Sequence, residues 1–578
     1  MLYPTLPVLP STRQMIDVFG GYNHNLRIND SEFYDMQNMS SDFYPILSPR
    51  KARGIFVRSQ NISGMISKDV LCYADGTKFV IGDKSIEMGL SSEPKNLVSM
   101  GSYVIILPDK KFINTSDTSD FGDIEVETKT TGHTTTFSIC KVDGSEYDEI
   151  EFSPTEPLNP ENLDLWIDTS TTPNSLKQYS ASSGMWISVA STYIRIASKG
   201  IGREFEAGDG VSISGITDES LADLNTTTVI QARGDDFIVV IGVITKVTTQ
   251  SEEISVKRLM PNLDFVIESG NRLWGCRYGT SLNGETVNEI YASKLGDFKN
   301  WNAFQGISTD SYAASCGTDG KFTGAITHLG YPIFFKENCM HKVYGNFPAN
   351  YQIQVTDCRG VQSGSHKSLA IVNEILYYKS RLGVCAYDGS LPVEVSSALG
   401  DAPYFDAVGG SHGNKYYISM ADSSGVYHLF VYDTSKGLWH KEDNTKVSQF
   451  CSYKNEMYFI DKDFKEIRTV FGSPDKIEDT INWSVESGII GFDSPDKKYI
   501  SNMTMRLSLE FGAKVFIYIM YDSLGTWELI GTVKGNTLKS MNVPIKPRRC
   551  DHFRLKFEGE GNAKIYSLCK TLVQGSEY

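Results

Sequence analysis

The sequence predicts an all-β fold: a β-propeller of about six to eight blades, with an inserted β-domain and a C-terminal β-sandwich. Three observations carry this. A polar turn, a short apolar strand and a partner strand recur together along 261–471. Composition leans to strand and turn residues, with 30 Tyr, 29 Phe and 50 Gly. The two stretches where the recurrence lapses still alternate with period two, as half-buried strands do.

The recurrence is read from GNRLWG at 270–275, GYPIFF at 330–335, NEILYY at 373–378, GNKYYI at 413–418 and KNEMYF at 454–459. Anchors at Leu273, Ile333, Leu376, Tyr416 and Met457 step by 60, 43, 40 and 41 residues. A period near 40 with strand pairs inside each unit is the mark of one blade per repeat. Earlier copies, KDVLCYADGTKFVIG at 68–82 and GSYVIILPDKKFI at 101–113, extend it towards the N-terminus. This divides the chain into an extended arm at 1–54, a first propeller part at 55–115, an insertion at 116–257, a second propeller part at 258–475 and a sandwich at 476–578.

The arm opens with MLYPTLPVLP, whose prolines bar helix and central strand. It has no basic leader, and the apolar run FIVVIGVI at 237–244 is too short for a membrane helix, so a soluble protein without an export signal is expected. The arm ends in a basic cluster, Arg50, Lys51 and Arg53, with a second basic pair at Arg548 and Arg549. These residues either contact DNA or an acidic neighbour, or they staple the chain to its own acidic surface. The insertion carries Trp166, Tyr179 and Trp186, which either stack on a sugar or form that domain's core. In the C-terminal part, Met503, Met505, Leu507 and Leu509 alternate with polar residues, as do Phe553, Leu555 and Phe557.

The net charge is −15, which disfavours tight wrapping of nucleic acid. The 10 cysteines have no CxxC spacing and read as buried thiols of a reducing compartment. Catalytic signatures are absent. GGSHG at 409–413 fits GxSxG formally around Ser411, but a strand follows where a helix is needed. His366 has no partner at metal-ligand spacing, and DKDFKE at 461–466 and DGSEYDE at 143–149 lack a full calcium loop. No enzyme activity, cofactor or metal is expected.

Five stretches together resemble a phage structural family. They are FGGYNHNLRINDSEFYDMQNMSSDFYPILSPRKARG at 19–54, LGDFKNWNAFQGISTDSY at 295–312, DGKFTGAITHLGYPIFFKENCMHKVYG at 319–345, GVQSGSHKSLAIVNEILYYKSRLGVCAYDGS at 360–390 and VPIKPRRCDHFRLKFEGEGNAKIYSLCKTLVQGS at 543–576. The sequence is similar to virion proteins of the tail-nozzle class, the tail tubular and packaged-DNA-stabilising proteins of short-tailed phages. The resemblance covers most of the chain outside the insertion and transfers no catalytic residue. It implies a virion protein in a six-fold ring below portal and adaptor, touching tail fibre or tail tip proteins. DNA would pass through the lumen without sequence-specific binding. Two other functions are compatible with the residues: a receptor-binding or baseplate protein with a glycan-binding insertion, and a propeller-based polysaccharide depolymerase.

Overall fold

A computed structural model describes residues 11–574 apart from 148–149, 172–173, 190–191, 245–246, 282–283, 473–474, 492–495 and 536–537. The Pro-rich start at 1–10 lies outside the described residues. Among the described residues the chain is all-β, with four short 3-10 turns. It divides into two compact units, one of residues 1–95, 335–340 and 356–578, the other of 96–334 and 341–355.

The first unit contains four-stranded antiparallel meanders at 62–87, 370–394 and 404–441. A fourth sheet, which begins at 447–469, takes its next strand from the other end of the chain and ends on Asp475–Lys476. Gly54–Val57 pairs antiparallel with Ile467–Thr469, so an N-terminal segment joins a C-terminal sheet. The first strands of the 370, 404, 447 and 62 sheets lie side by side in that order. Meanders joined through their first strands are the blades of a β-propeller. The hydrophobic periodicity explains the packing. In GNKYYISM, Tyr416, Tyr417 and Ile418 are buried on both faces of the sheet, as a strand between neighbouring blades must be.

The C-terminal residues form two facing sheets in the same unit. One holds Ser11–Ile16, Ala563–Gln574, Lys498–Leu509 and Lys539–Val543. The other holds Glu32–Gln37, Asn482–Ser487, Phe553–Glu560, Lys514–Tyr521 and Glu528–Lys534. Met503, Met505, Leu507, Phe553, Leu555 and Phe557 fill the space between them, the sets whose period-two spacing is visible in the sequence.

The segment expected as an extended arm is woven into this unit instead. Ser11–Ile16 runs antiparallel along Ala563–Gln574. Tyr22 bridges Trp439 of the 404–441 blade, Gly21–Tyr22 pairs parallel with Glu32–Phe33, and Glu32–Gln37 pairs antiparallel with Asn482–Ser487. Blade and sandwich thereby share one ten-stranded sheet. The physical reason is that Phe19, Tyr22, Phe33, Met36 and Met39 find their apolar partners in this chain's own core. Gly21 has φ +85, and a Cβ there would stand 2.4 Å from the Trp439 carbonyl oxygen, so only glycine allows the crossing.

The second unit contains meanders at 96–123 and 265–315 and most of a third, whose first strand is Gly324–His328. Their first strands are also neighbours. Phe121–Asp123 belongs to the first of these sheets, so the inserted β-domain spans 126–258 where 116–257 was expected. Its first and last strands pair antiparallel, Val126 opposite Arg258, which brings entry and exit together. Its core is aliphatic, including Ile139, Ile194, Ile196, Ile238 and Val240, and Phe137 joins it.

Candidate functional site

Arg50 and Arg53 sit in a buried charge network. Arg50 donates from both Nη atoms to the Glu478 carboxylate, at 2.7 and 2.9 Å. Arg53 donates from Nη2 to Glu442 at 2.8 Å and to Asp443 at 2.9 Å, and its backbone N–H donates to Glu478 at 2.8 Å. The Arg53 guanidinium also lies 5.2 Å from the Phe459 ring centre. Burial pushes the Asp443 carboxyl up, but Arg53 and Arg50 outweigh it and hold it below the usual range. For Glu442 burial wins and the carboxyl is raised. Both guanidiniums are thus committed within the chain, clamping the segment before Gly54–Val57 onto the loop after Leu438–Lys441. Lys51 is exposed, its ammonium 5.2 Å from the Phe471 ring centre.

Arg548 and Arg549 lie on a separate exposed loop between Lys539–Val543 and Phe553–Glu560. Arg548 pairs with Glu528 at 2.9 Å and covers the Tyr521 ring at 4.9 Å. The two basic groups are on different elements and are not one patch.

The three insertion aromatics do come together. They stand on the sheet Glu151–Ser153, Leu165–Asp168, Ser175–Ser180 and Met185–Ser188. Its register sorts side chains by chemistry. Phe152, Leu165, Ile167 and Leu176 face the domain core. The opposite face carries cross-strand rows: Ser153, Asp168 and Ser175; Glu151, Trp166, Lys177 and Ser188; Tyr179 and Trp186. Trp186 lies 5.5 Å from Trp166 and 5.4 Å from Tyr179, centre to centre. Trp166 is 2% exposed, and its Nε1–H donates to the Ser153 carbonyl at 2.9 Å. The Lys177 ammonium sits 4.6 Å from the Trp166 ring centre and 2.7 Å from Asp168. Hydrogen bonds from Lys177 and Ser170 lower the Asp168 carboxyl to about 2. Tyr179 and Trp186 are half-buried, while Glu151 and Ser188 are exposed.

The remaining sequence motifs lie in strands and turns. Ser411 lies inside the strand Tyr404–His412, opposite Tyr416, not at a strand-to-helix turn. Asp143 Oδ1 accepts from the Ser145 backbone N–H and hydroxyl, and Asp461 Oδ1 from the backbone of Asp463 and Phe464. Among the described residues no three His, Cys, Asp or Glu side chains converge as metal ligands would. His366 is exposed, on a 3-10 turn.

One group escapes sequence reasoning. His440, on Leu438–Lys441, is 2% exposed, and neither ring nitrogen has a hydrogen-bond partner among the described residues. It lines a small cavity with Phe19, Met36, Met39 and Leu47. Burial, with repulsion from Lys415 added, holds its pKa well below the usual imidazole range against the pull of Asp42. Nothing in DTSKGLWHKED marks the histidine, because the residues covering it come from 19–47.

No family profile matches the chain, and no curated protein matches it. Among solved structures it is similar to PorZ, a bacterial surface component of the type-IX secretion system of Porphyromonas gingivalis. That match has 10% identity and a TM-score of 0.26, over 85% of this chain and 71% of that one. It is also similar to the exo-beta-1,3-galactanase Pc1,3Gal43A from Phanerochaete chrysosporium, solved with galactose. There the identity is 10% and the TM-score 0.21, over 53% of this chain and 94% of that one. At these scores neither match bears on what this chain does.

Proposed function

We propose that the chain is a non-enzymatic structural protein of a bacteriophage virion, a tail nozzle or hub subunit that carries the DNA channel on below portal and adaptor. The observation that supports this reading best is the joint between blade and sandwich. Two of the stretches that resemble the tail-nozzle class, 19–54 and 543–576, contribute strands to the shared ten-stranded sheet or to the sheet facing it. A wall around DNA under pressure must not let its modules swing. Continuous main-chain pairing, backed by the Arg50 and Arg53 network, resists such motion more than a flexible linker would. The charge is consistent with a conduit. At −15 per chain, a ring repels phosphate and gains little from counterion release, which favours sliding over retention. In this reading six copies form the ring, with adaptor above and tail fibre or tip proteins alongside.

The test is proteomics and cryo-EM of particles of the phage that encodes the chain. Stoichiometric presence in a ring on the DNA axis is the expected result. Absence from purified particles, or a position at the fibre tips only, overturns the proposal.

A further inference from the structure

We infer that the outer face of the 151–188 sheet is a binding site for a neutral carbohydrate, with Trp186 and Tyr179 as the stacking surface. A sheet whose second face merely met water would carry scattered polar residues there. This face instead concentrates three aromatic rings with Glu151, Lys177 and Ser188, and its register rows hold no aliphatic side chain. The rings are not consumed by the core, which lies on the other side and is filled by Leu165, Ile167 and Leu176.

The arrangement separates support from contact. Trp166 is covered, tethered by its Nε1–H to Ser153, and meets Trp186 in a T-shaped contact with 5.5 Å between ring centres. Lys177 is fixed over Trp166 by its bond to Asp168. Trp186 and Tyr179 keep part of their surface open. A pyranose ring offers an apolar side of C–H groups that packs on an indole or phenol face, and a rim of hydroxyls that needs donors and acceptors. Here Ser188 and the Lys177 ammonium supply donors, and Glu151 supplies acceptors. An apolar peptide would leave those polar groups unpaired, at a cost. The charge balance selects among sugars. Lys177 is neutralised by Asp168, and Glu151 has no ion-pair partner among the described residues, so the rows favour a neutral sugar over a uronate or sulfate. The inference is independent of the nozzle reading, since either can fail alone.

The test uses the full chain in native gels cast with dextran, hydroxyethylcellulose, galactomannan or xylan, with heparin and alginate as acidic controls. We expect retardation by at least one neutral polymer, and quenching of tryptophan fluorescence by its soluble hexasaccharide. Trp186→Ala should weaken that binding about tenfold and Tyr179→Ala less. Phe121→Ala, at an exposed aromatic outside the sheet, should leave it unchanged. Circular dichroism and limited proteolysis of each variant must match the parent. Absence of retardation in every neutral gel overturns the inference. So does retardation unaltered in Trp186→Ala, or preferential, salt-sensitive binding to heparin.

Discussion

Protonation of His440 should loosen the joint between blade and sandwich. The imidazole is buried, without a hydrogen-bond partner among the described residues, and feels the charges of Lys415 and Asp42, which are paired with one another. Its folded pKa is depressed, so the folded state refuses a proton that the opened state takes up at the ordinary value of about 6.5. Above that pH both states are neutral and His440 contributes no pH dependence. Below it, stability is lost at about 1.4 kcal/mol per pH unit until the folded pKa is reached. Between pH 6.5, where half of the opened-state imidazoles already carry the proton, and pH 5.0 the loss is about 1.6 kcal/mol, or about 16-fold in the opening equilibrium. Hydrogen exchange with mass spectrometry reads this directly, after correction for intrinsic rates, on peptides covering 19–40 and 427–441. His440→Phe keeps the ring's bulk and cannot titrate, so its protection at pH 5.0 relative to pH 6.5 should exceed the parent's by that factor. Glu442 titrates with the opposite sign, its raised carboxyl favouring the folded state as pH falls, but it is common to both proteins. Equal pH dependence in parent and variant would refute the reasoning.

Three further outcomes follow from the same packing. Arg53→Met leaves buried Glu442 without its cation and Asp443 with Arg50 alone, and should cost about 3–5 kcal/mol in urea denaturation, with partial recovery when Glu442→Leu is added. Gly559 lies opposite Trp483, and a Cβ there would come within 2.0 Å of the indole, so Gly559→Val should destabilise by about 1–3 kcal/mol, eased by Trp483→Leu. Burial pushes the Cys72, Cys140 and Cys550 thiols up to about 11 and Cys451 to about 12, so native iodoacetamide labelling at pH 7.5 should spare all four while urea exposes them.

The blades and the sandwich were legible because their signal is local. Period-two runs such as Met503 to Leu509 bury alternate residues whatever the strand pairs with. The fate of 11–57 was not legible, because it depends on partners some 400 residues away. EFYDMQ buries Phe33 and Met36 three residues apart, across a β-bulge, and so breaks the alternation that would have marked it as a strand. Arg50 and Arg53 look like surface charges in SPRKARG; only the fold brings Glu442, Asp443 and Glu478 to them. Gly559 reads as a turn residue in EGEG, yet it sits in a strand because an indole occupies the space of its missing side chain. For the insertion, the sequence offered stacking or core for the aromatics, and a single register decided which face they take.

The strand Gly54–Val57, which joins the 447–469 sheet, bears on how the polypeptide is made. Synthesis delivers it roughly 400 residues before its partner Ile467–Thr469 leaves the ribosome, and Ser11–Ile16 waits longer still for Ala563–Gln574. Through most of translation these early strands have exposed edges, the condition in which chains pair with the wrong neighbour. Closure is therefore a late event, because Ser11–Ile16 and Gly54–Val57 can pair only after Ala563–Gln574 and Ile467–Thr469 have been made. A chain truncated before 563 would leave Ser11–Ile16 without its Ala563–Gln574 partner, an edge open to quality control.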